Sequence, residues 1–87
     1  MIAQTTMEAY YSIQSELNSR QLMVFNFIRD HPGLNAEQIY IGMGYRSPNS
    51  TSPRITELLE EGLIEVAGYN QTSSGRRART YRVREVA

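Results

Sequence analysis

The sequence predicts a small α+β domain in which helices come first and a β-hairpin ends the chain. Apolar residues recur every three or four positions as far as Leu59, which is the spacing of helices with one buried face. Beyond Gly62, apolar and polar residues alternate, as they do in half-buried strands. Proline and glycine interrupt the pattern at residues 31–33, at Gly44 and at residues 74–75, where we expect the chain to turn.

Two helices are expected before this first turn. The first covers residues 5–17 and has its apolar residues on one face. The second covers residues 20–30 and begins after a cap at Asn18 or Ser19, whose side chains can accept from free backbone donors. Its predicted core residues are Leu22, Val24, Phe25 and Ile28, with Met23 and Phe27 widening the stripe.

Two further helices are expected between the first turn and the hairpin. The third is short, begins after a cap at Asn35 and ends before Gly44. The fourth begins after a cap at Ser50 or Ser52, because Pro53 is tolerated in the first turn of a helix. The residues expected to be buried are Ala36, Ile39, Tyr40 and Met43 on the third helix and Ile55, Leu58 and Leu59 on the fourth.

Two strands complete the chain. The first is predicted over residues 63–68 and the second over residues 77–84, with a polar loop, residues 69–76, between them. The inward-facing residues are Ile64, Val66, Tyr81 and Val83, whereas Arg82 and Arg84 face outward.

Length and composition restrict the class of protein. The 87 residues suit one domain, which we divide into an N-terminal helical extension, residues 1–17, and the domain proper, residues 18–87. Cysteine is absent and His31 is the lone histidine, so we expect no disulfide, no metal and no cofactor. No apolar run approaches the roughly 20 residues of a membrane span, and the first residues lack the pattern of a secretory signal. A cytoplasmic protein without a membrane partner is therefore predicted.

Charge is unevenly distributed although the net charge is zero. Residues 76–84 contain five arginines and no acidic residue. Every basic residue of the chain is arginine, which binds phosphate and guanine edges in a bidentate manner. A codon bias toward arginine is the other explanation of this composition, and the sequence leaves both open.

Three segments resemble the winged helix-turn-helix superfamily. Residues 54–64, RITELLEEGLI, resemble the exit from a recognition helix into the first strand of the wing. Residues 32–39, PGLNAEQI, resemble the entry to the first helix of the motif, and residues 73–82, SSGRRARTYR, resemble a wing tip with its returning strand. The chain is similar in this respect to small phage, prophage or bacterial regulators. It departs from the pattern at Tyr40, where a small residue is more usual, and at Pro53, close to the start of the recognition helix.

The resemblance implies a winged helix-turn-helix domain with a three-helix core, here with an extra N-terminal helix, that binds double-stranded DNA, most simply as a transcriptional repressor. The recognition helix, about residues 50–61, is expected in the major groove, and the wing, residues 69–79, on the backbone or in the minor groove. The DNA contacts expected from this placement are Arg46, Asn49, Ser50, Thr51, Pro53, Arg54, Arg76, Arg77 and Arg79.

Several of these residues have plainer interpretations. Glu57 either accepts from cytosine or pairs with Arg54 one turn away, and the spacing favours the pair. Asn49 suits a turn or cap as well as a base contact. The wing arginines also suit the solvated face of an ordinary hairpin.

The first helix has two possible roles. Its apolar residues Tyr10, Ile13 and Leu17 either cover the core of their own subunit or form the interface of a homodimer. A dimer would place two recognition helices in successive major grooves of a palindromic site.

Two other classes of function are alternatives to DNA binding. A protein-interaction module of the same fold is favoured by the acidic residues Glu57, Glu60 and Glu61 on the recognition helix. An enzyme is not expected, because the sequence offers no nucleophile–base pair, metal cluster or phosphate-binding loop.

Overall fold

A computed structural model describes residues 17–84 as three helices and a three-stranded antiparallel sheet. The helices are α1 (Ser19–Asp30), α2 (Ala36–Gly42) and α3 (Ser52–Glu60), and a 3₁₀ turn, Pro48–Ser50, precedes α3. The strands are β1 (Leu34–Asn35), β2 (Ile64–Gln71) and β3 (Arg77–Val83). This order confirms the predicted α+β, winged helix-turn-helix fold, in which α2 and α3 form the motif and β2 and β3 form the wing. The predicted first helix lies outside the described residues except for Leu17.

Side-chain caps begin α1 and α2 as the sequence predicts. Asn18 caps α1, because its side chain accepts from the backbone of Gln21 while the Gln21 side chain accepts from the backbone of Asn18. Asn35 and Gln38 form the same reciprocal pair at the start of α2. Both caps involve residues three positions apart, so the local sequence contains all that is needed to predict them.

The start of α3 lies between the two predicted positions. Its N-cap is Thr51, which places Pro53 in the first turn, where its missing N–H costs no hydrogen bond. The Thr51 side chain does not cap the helix, since its hydroxyl donates instead to the carbonyl of Pro48, 3.4 Å away. The buried Thr51 thus connects the 3₁₀ turn to α3.

The core lies between the three helices and the inner face of the sheet. Its buried members are Val24, Phe25, Ile28, Ile39, Ile55, Leu58, Ile64 and Tyr81, all of which were predicted to face inward. Two predictions are wrong, because Met23 is 54% exposed and Val66 is 36% exposed. Met23 lies about 150° around α1 from the middle of the buried stripe, given 100° per residue. Val66 lies on an edge strand at the start of a β-bulge, where β2 begins to leave the core.

A close approach between α2 and α1 occurs at Gly42, and Tyr40, also on α2, is half-buried. A Cβ atom at Gly42 would lie 2.6 Å from Cζ of Phe27, so a larger residue there would require the Phe27 ring to shift.

The sheet contains one strand that the sequence did not predict and one that is longer than predicted. The strand order is β1-β3-β2, and β1 pairs with β3 through Leu34 and Tyr81. Two residues are too few to show an alternating pattern, so β1 could not be predicted from the sequence.

The predicted loop over residues 69–76 is wrong for its first three residues, since β2 continues to Gln71 beyond the bulge at residues 66–68. The bulge shifts the inward and outward positions, which disrupts the alternation on which the prediction depended.

Candidate nucleic-acid interface

Two surfaces contain the residues predicted to contact DNA. The first, called here the helix surface, comprises the turn before α3 and the outward side of α3, and includes Arg46, Asn49, Ser50, Pro53, Arg54 and Thr56. The second, called here the wing tip, comprises the turn between β2 and β3 and the start of β3, residues 72–79. Arg46, Asn49 and Pro53 are exposed, whereas Ser50 and Arg54 are half-buried.

Thr51 is not available to a ligand, contrary to the prediction. Its side chain is fully buried and its hydroxyl is hydrogen-bonded to the Pro48 carbonyl. The backbone N–H of Thr51 also donates to that carbonyl, at 3.1 Å. Polar residues at a helix start suggest surface contacts, but this one is used to join the 3₁₀ turn to α3.

Thr56 belongs to the helix surface but was missed by the sequence-based prediction. It lies three positions after Pro53, so both residues are on the outward side of α3, and both are exposed. The Thr56 hydroxyl donates to the carbonyl of Ser52 at 3.2 Å, which leaves its lone pairs and its methyl group at the surface. Counting outward positions from Pro53 along the helix would have found it.

Arg54 is held by Glu57, as the spacing predicts. Nε of Arg54 donates to Oε1 of Glu57 at 2.6 Å, and Nη2 donates to Oε2 at 2.9 Å. The amide of Gln21, on α1, donates to Oε1 of the same carboxylate at 3.0 Å. These donors, Arg54 first and Gln21 second, hold the pKa of the Glu57 carboxyl below its ordinary value.

The wing tip presents three arginines to solvent. Arg76, Arg77 and Arg79 are all exposed, and none of them forms a salt bridge within residues 17–84. The guanidinium of Arg77 lies over the ring of Tyr69, 4.1 Å from its centre, in a cation–π contact. Tyr69 pairs with Arg79 across the hairpin. The cationic charge of these residues is therefore not neutralised by carboxylates of the described chain.

Polar contacts connect the wing to the start of α2. Asn35 Nδ2 donates to Oδ1 of Asn70 at 2.8 Å, and Asn70 Nδ2 donates to Oε1 of Gln38 at 2.9 Å. Closer to the turn, the backbone N–H of Ser73 donates to Glu37 at 2.8 Å, and the Ser73 hydroxyl lies 3.1 Å from the other oxygen of that carboxylate. These contacts could not be predicted from the sequence, because the partners are more than 30 positions apart.

The two remaining arginines of this segment, Arg82 in β3 and Arg84 just after it, lie at the other end of the hairpin. Arg82 donates to Glu65 across the sheet at 2.7 Å, and Arg84 lies beside Gly62 at the end of α3. Both are exposed, which confirms their predicted outward orientation. Their distance along β3 from the turn separates them from the wing tip.

Residues 17–84 contain neither a cluster of metal ligands nor a membrane-spanning helix. Within this range, no three His, Asp or Glu side chains come together as metal ligands. None of the helices described there has the length and apolar character needed to cross a bilayer.

Comparison with known proteins identifies the fold. No family model matches the chain, and no curated protein matches its sequence. One solved structure that matches is the multiple antibiotic-resistance repressor (MarR) from Listeria monocytogenes 4b F2365, with a TM-score of 0.61 and 19% sequence identity. The match covers 94% of this chain and 61% of that one, so the chain spans less than two thirds of the repressor's length. The similarity shows that the chain has the winged helix-turn-helix fold.

Proposed function

We propose that this domain binds double-stranded DNA and regulates transcription, most simply as a repressor. In this proposal α3 enters the major groove and the wing lies on the backbone or in the minor groove. The observation that carries it is the exposure of Arg76, Arg77 and Arg79 without carboxylate partners in the described chain. Arginine is well suited to phosphate oxygens, which supply most of the affinity of proteins for DNA.

The helix surface supports the same proposal. Arg46, Asn49 and Pro53 are exposed at the N-terminal end of α3, which is the end that contacts base edges in helix-turn-helix proteins. Asparagine matches the N6 and N7 atoms of adenine. The similarity in fold to a known repressor also favours a regulator.

A homodimer remains part of the proposal. Tyr10 and Ile13 lie outside the described residues. Leu17 is half-buried and packs against the core of its own subunit, which favours the covering role for this residue. We place the dimer contacts on the helical extension, residues 1–17, with Tyr10 and Ile13 as their main apolar residues.

Fluorescence anisotropy of a labelled random-sequence duplex tests DNA binding. The wild type is compared with the triple variant Arg76→Ala, Arg77→Ala, Arg79→Ala at about 50 mM and about 200 mM salt. The wild type should bind more weakly at the higher salt. The slope of log affinity against log salt should be smaller by about three units in the variant, because each phosphate contact contributes about one.

The matched control removes the same charge elsewhere. The variant Arg29→Ala, Arg82→Ala, Arg84→Ala also loses three arginines, but these lie at the end of α1 and at the far end of the hairpin. It should keep most of the wild-type affinity and slope. Equal losses of DNA affinity in both triple variants would mean that net charge alone controls binding. Absence of wild-type binding at low salt would contradict the proposal.

A protein-interaction module without DNA binding is the second candidate. It is favoured by the exposed carboxylates of Glu60 and Glu61 at the end of α3, which would repel phosphates. Two results together would establish it. The wild type would fail to bind DNA at low salt, and it would capture a defined basic partner that the double variant Glu60→Gln, Glu61→Gln no longer captures.

A further inference from the structure

Hydrogen bonds join Arg54 to α1 through Glu57 and Gln21. The Gln21 side chain accepts from the backbone N–H of Asn18 at 3.2 Å, which fixes the direction of its amide group. That amide donates to Glu57, and Glu57 accepts two hydrogen bonds from Arg54. The carboxylate is therefore constrained from both sides, and the guanidinium is constrained with it.

The pairing uses one edge of the guanidinium, and the other edge has no hydrogen-bond partner within residues 17–84. Glu57 occupies the edge formed by Nε and Nη2 of Arg54, and takes two of the five N–H donors of that group. Of the three remaining donors, one on Nη1 and one on Nη2 form the second edge, at the end of the side chain. An edge with two parallel N–H groups matches the O6 and N7 acceptors of guanine.

The position of Glu57 also affects where Arg54 extends. The Glu57 side chain is 40% exposed, against 22% for Arg54, because Glu57 lies closer to the outward side of α3. The salt bridge therefore draws the guanidinium along the flank of the helix toward Glu57.

We propose that Glu57, held by Gln21, is a positioning residue that determines base specificity, because it orients the second edge of Arg54 toward guanine. The inference rests on the proposed DNA binding. Pairing with a carboxylate also neutralises the charge of Arg54, so this arginine adds selectivity and little non-specific attraction. Loss of Glu57 should then have two opposite effects: stronger binding to random DNA and weaker preference for guanine.

Selection from a randomised duplex library, followed by affinity measurements on the selected site and its single-base variants, tests this proposal. Arg54→Ala should abolish a guanine preference of about 5-fold to 150-fold at one position of the site, which is the usual range for a bidentate contact. Glu57→Gln should lose most of the same preference, while its affinity for random DNA rises and its salt slope steepens by up to about one unit. The double variant should lose no more preference than Arg54→Ala alone.

Two further variants separate positioning from charge and from folding. Glu60→Gln removes the same charge from α3 but has no contact with Arg54, so it should strengthen random binding and keep the guanine preference. Gln21→Glu keeps an acceptor for the N–H of Asn18 but cannot donate to Glu57 and repels it, so the guanine preference should fall although the helix cap remains. Circular dichroism and thermal unfolding of each variant show whether the fold is retained.

The possible outcomes distinguish this inference from the proposed function. If the wild type binds DNA and selects a sequence, but Arg54→Ala keeps every base preference, the inference is wrong and DNA binding stands. The inference is equally wrong if Glu57→Gln keeps the guanine preference that Arg54→Ala loses. If the wild type does not bind DNA at low salt, both proposals fail together.

Discussion

Helix α3 and the wing are attached to the domain by different interactions. Ile55 and Leu58 of α3 are buried among apolar side chains. The wing beyond its bulge extends from the core, and hydrogen bonds from polar residues hold it to the start of α2. The arginines differ in the same way, since Arg54 of α3 is paired with a carboxylate whereas those of the wing tip are not.

Under the proposed function, this difference would divide two tasks between the wing and α3. Contacts to phosphates position the protein and supply affinity, and they require available positive charge more than a fixed geometry. Contacts to bases require a fixed geometry, which buried packing and a salt bridge provide for α3. Under the proposed function, the wing would supply affinity and α3 would supply specificity.

The largest effect is expected where α3 meets the core. Leu58→Ala should lower the free energy of unfolding by about 2–5 kcal/mol, because it removes a fully buried side chain and leaves a cavity. Urea denaturation measures the loss. Ile55→Val offers a milder version, with an expected cost of about 0.5–1.5 kcal/mol, if Leu58→Ala does not fold.

Removing the wing-tip arginines is the contrasting change. The triple variant Arg76→Ala, Arg77→Ala, Arg79→Ala should alter the free energy of unfolding far less than Leu58→Ala does. A substitution of an exposed residue usually changes that free energy by no more than about 0.5 kcal/mol. A loss as large as that of Leu58→Ala would show that these side chains stabilise the fold, and the comparison between α3 and the wing would fail.

An intermediate effect is expected where the wing meets α2. Asn35 is fully buried, caps α2 and donates to Asn70, so Asn35→Ala should cost about 1–3 kcal/mol. Asn35→Ser keeps a side chain that can cap the helix but is too short to contact the wing. It should cost less, yet accelerate amide hydrogen exchange in the wing as much as Asn35→Ala does. Unchanged amide hydrogen exchange in both variants would mean that the other polar contacts are enough to hold the wing to α2.

The smallest effect concerns the pH dependence of stability. The folded state lowers the pKa of Glu57 from its ordinary value of 4.5, so this carboxylate stabilises the fold above that pH. The contribution should disappear as the pH falls through the lowered pKa. Wild type and Glu57→Gln should therefore differ in melting temperature near neutral pH and converge on acidification. A difference that persists at low pH would show that the amide substitution acts through packing.

Local interactions explain why so much of the helical structure could be predicted. Asn18 with Gln21, Asn35 with Gln38 and Arg54 with Glu57 are each three positions apart, so one turn of helix brings them together. The wing was harder to predict, because its apolar alternation ends at the bulge near Val66 and nothing in the remaining sequence distinguishes a projecting strand from a loop.

The site was predicted less completely than the fold. The sequence identified the arginines of the wing tip, because they are concentrated in one short segment. They are exposed because the core does not extend to that end of the hairpin. It placed Thr51 at the surface, although packing of the 3₁₀ turn against α3 buries it. It overlooked Thr56, whose exposure depends on which side of α3 meets the core. The DNA contacts and the dimer residues Tyr10 and Ile13 stay predictions.

The sequence by itself determined the three described helices, the caps of α1 and α2, the turn at Gly75 and the concentration of arginine at the wing tip, because these depend on residues close together in the chain. Only the tertiary structure decided which polar groups are already used. Gln21 meets Glu57 and Asn35 meets Asn70 across separations of 36 and 35 positions. Such pairs form because the packing of the core brings distant elements into contact, and spacing along the chain contains no record of that packing.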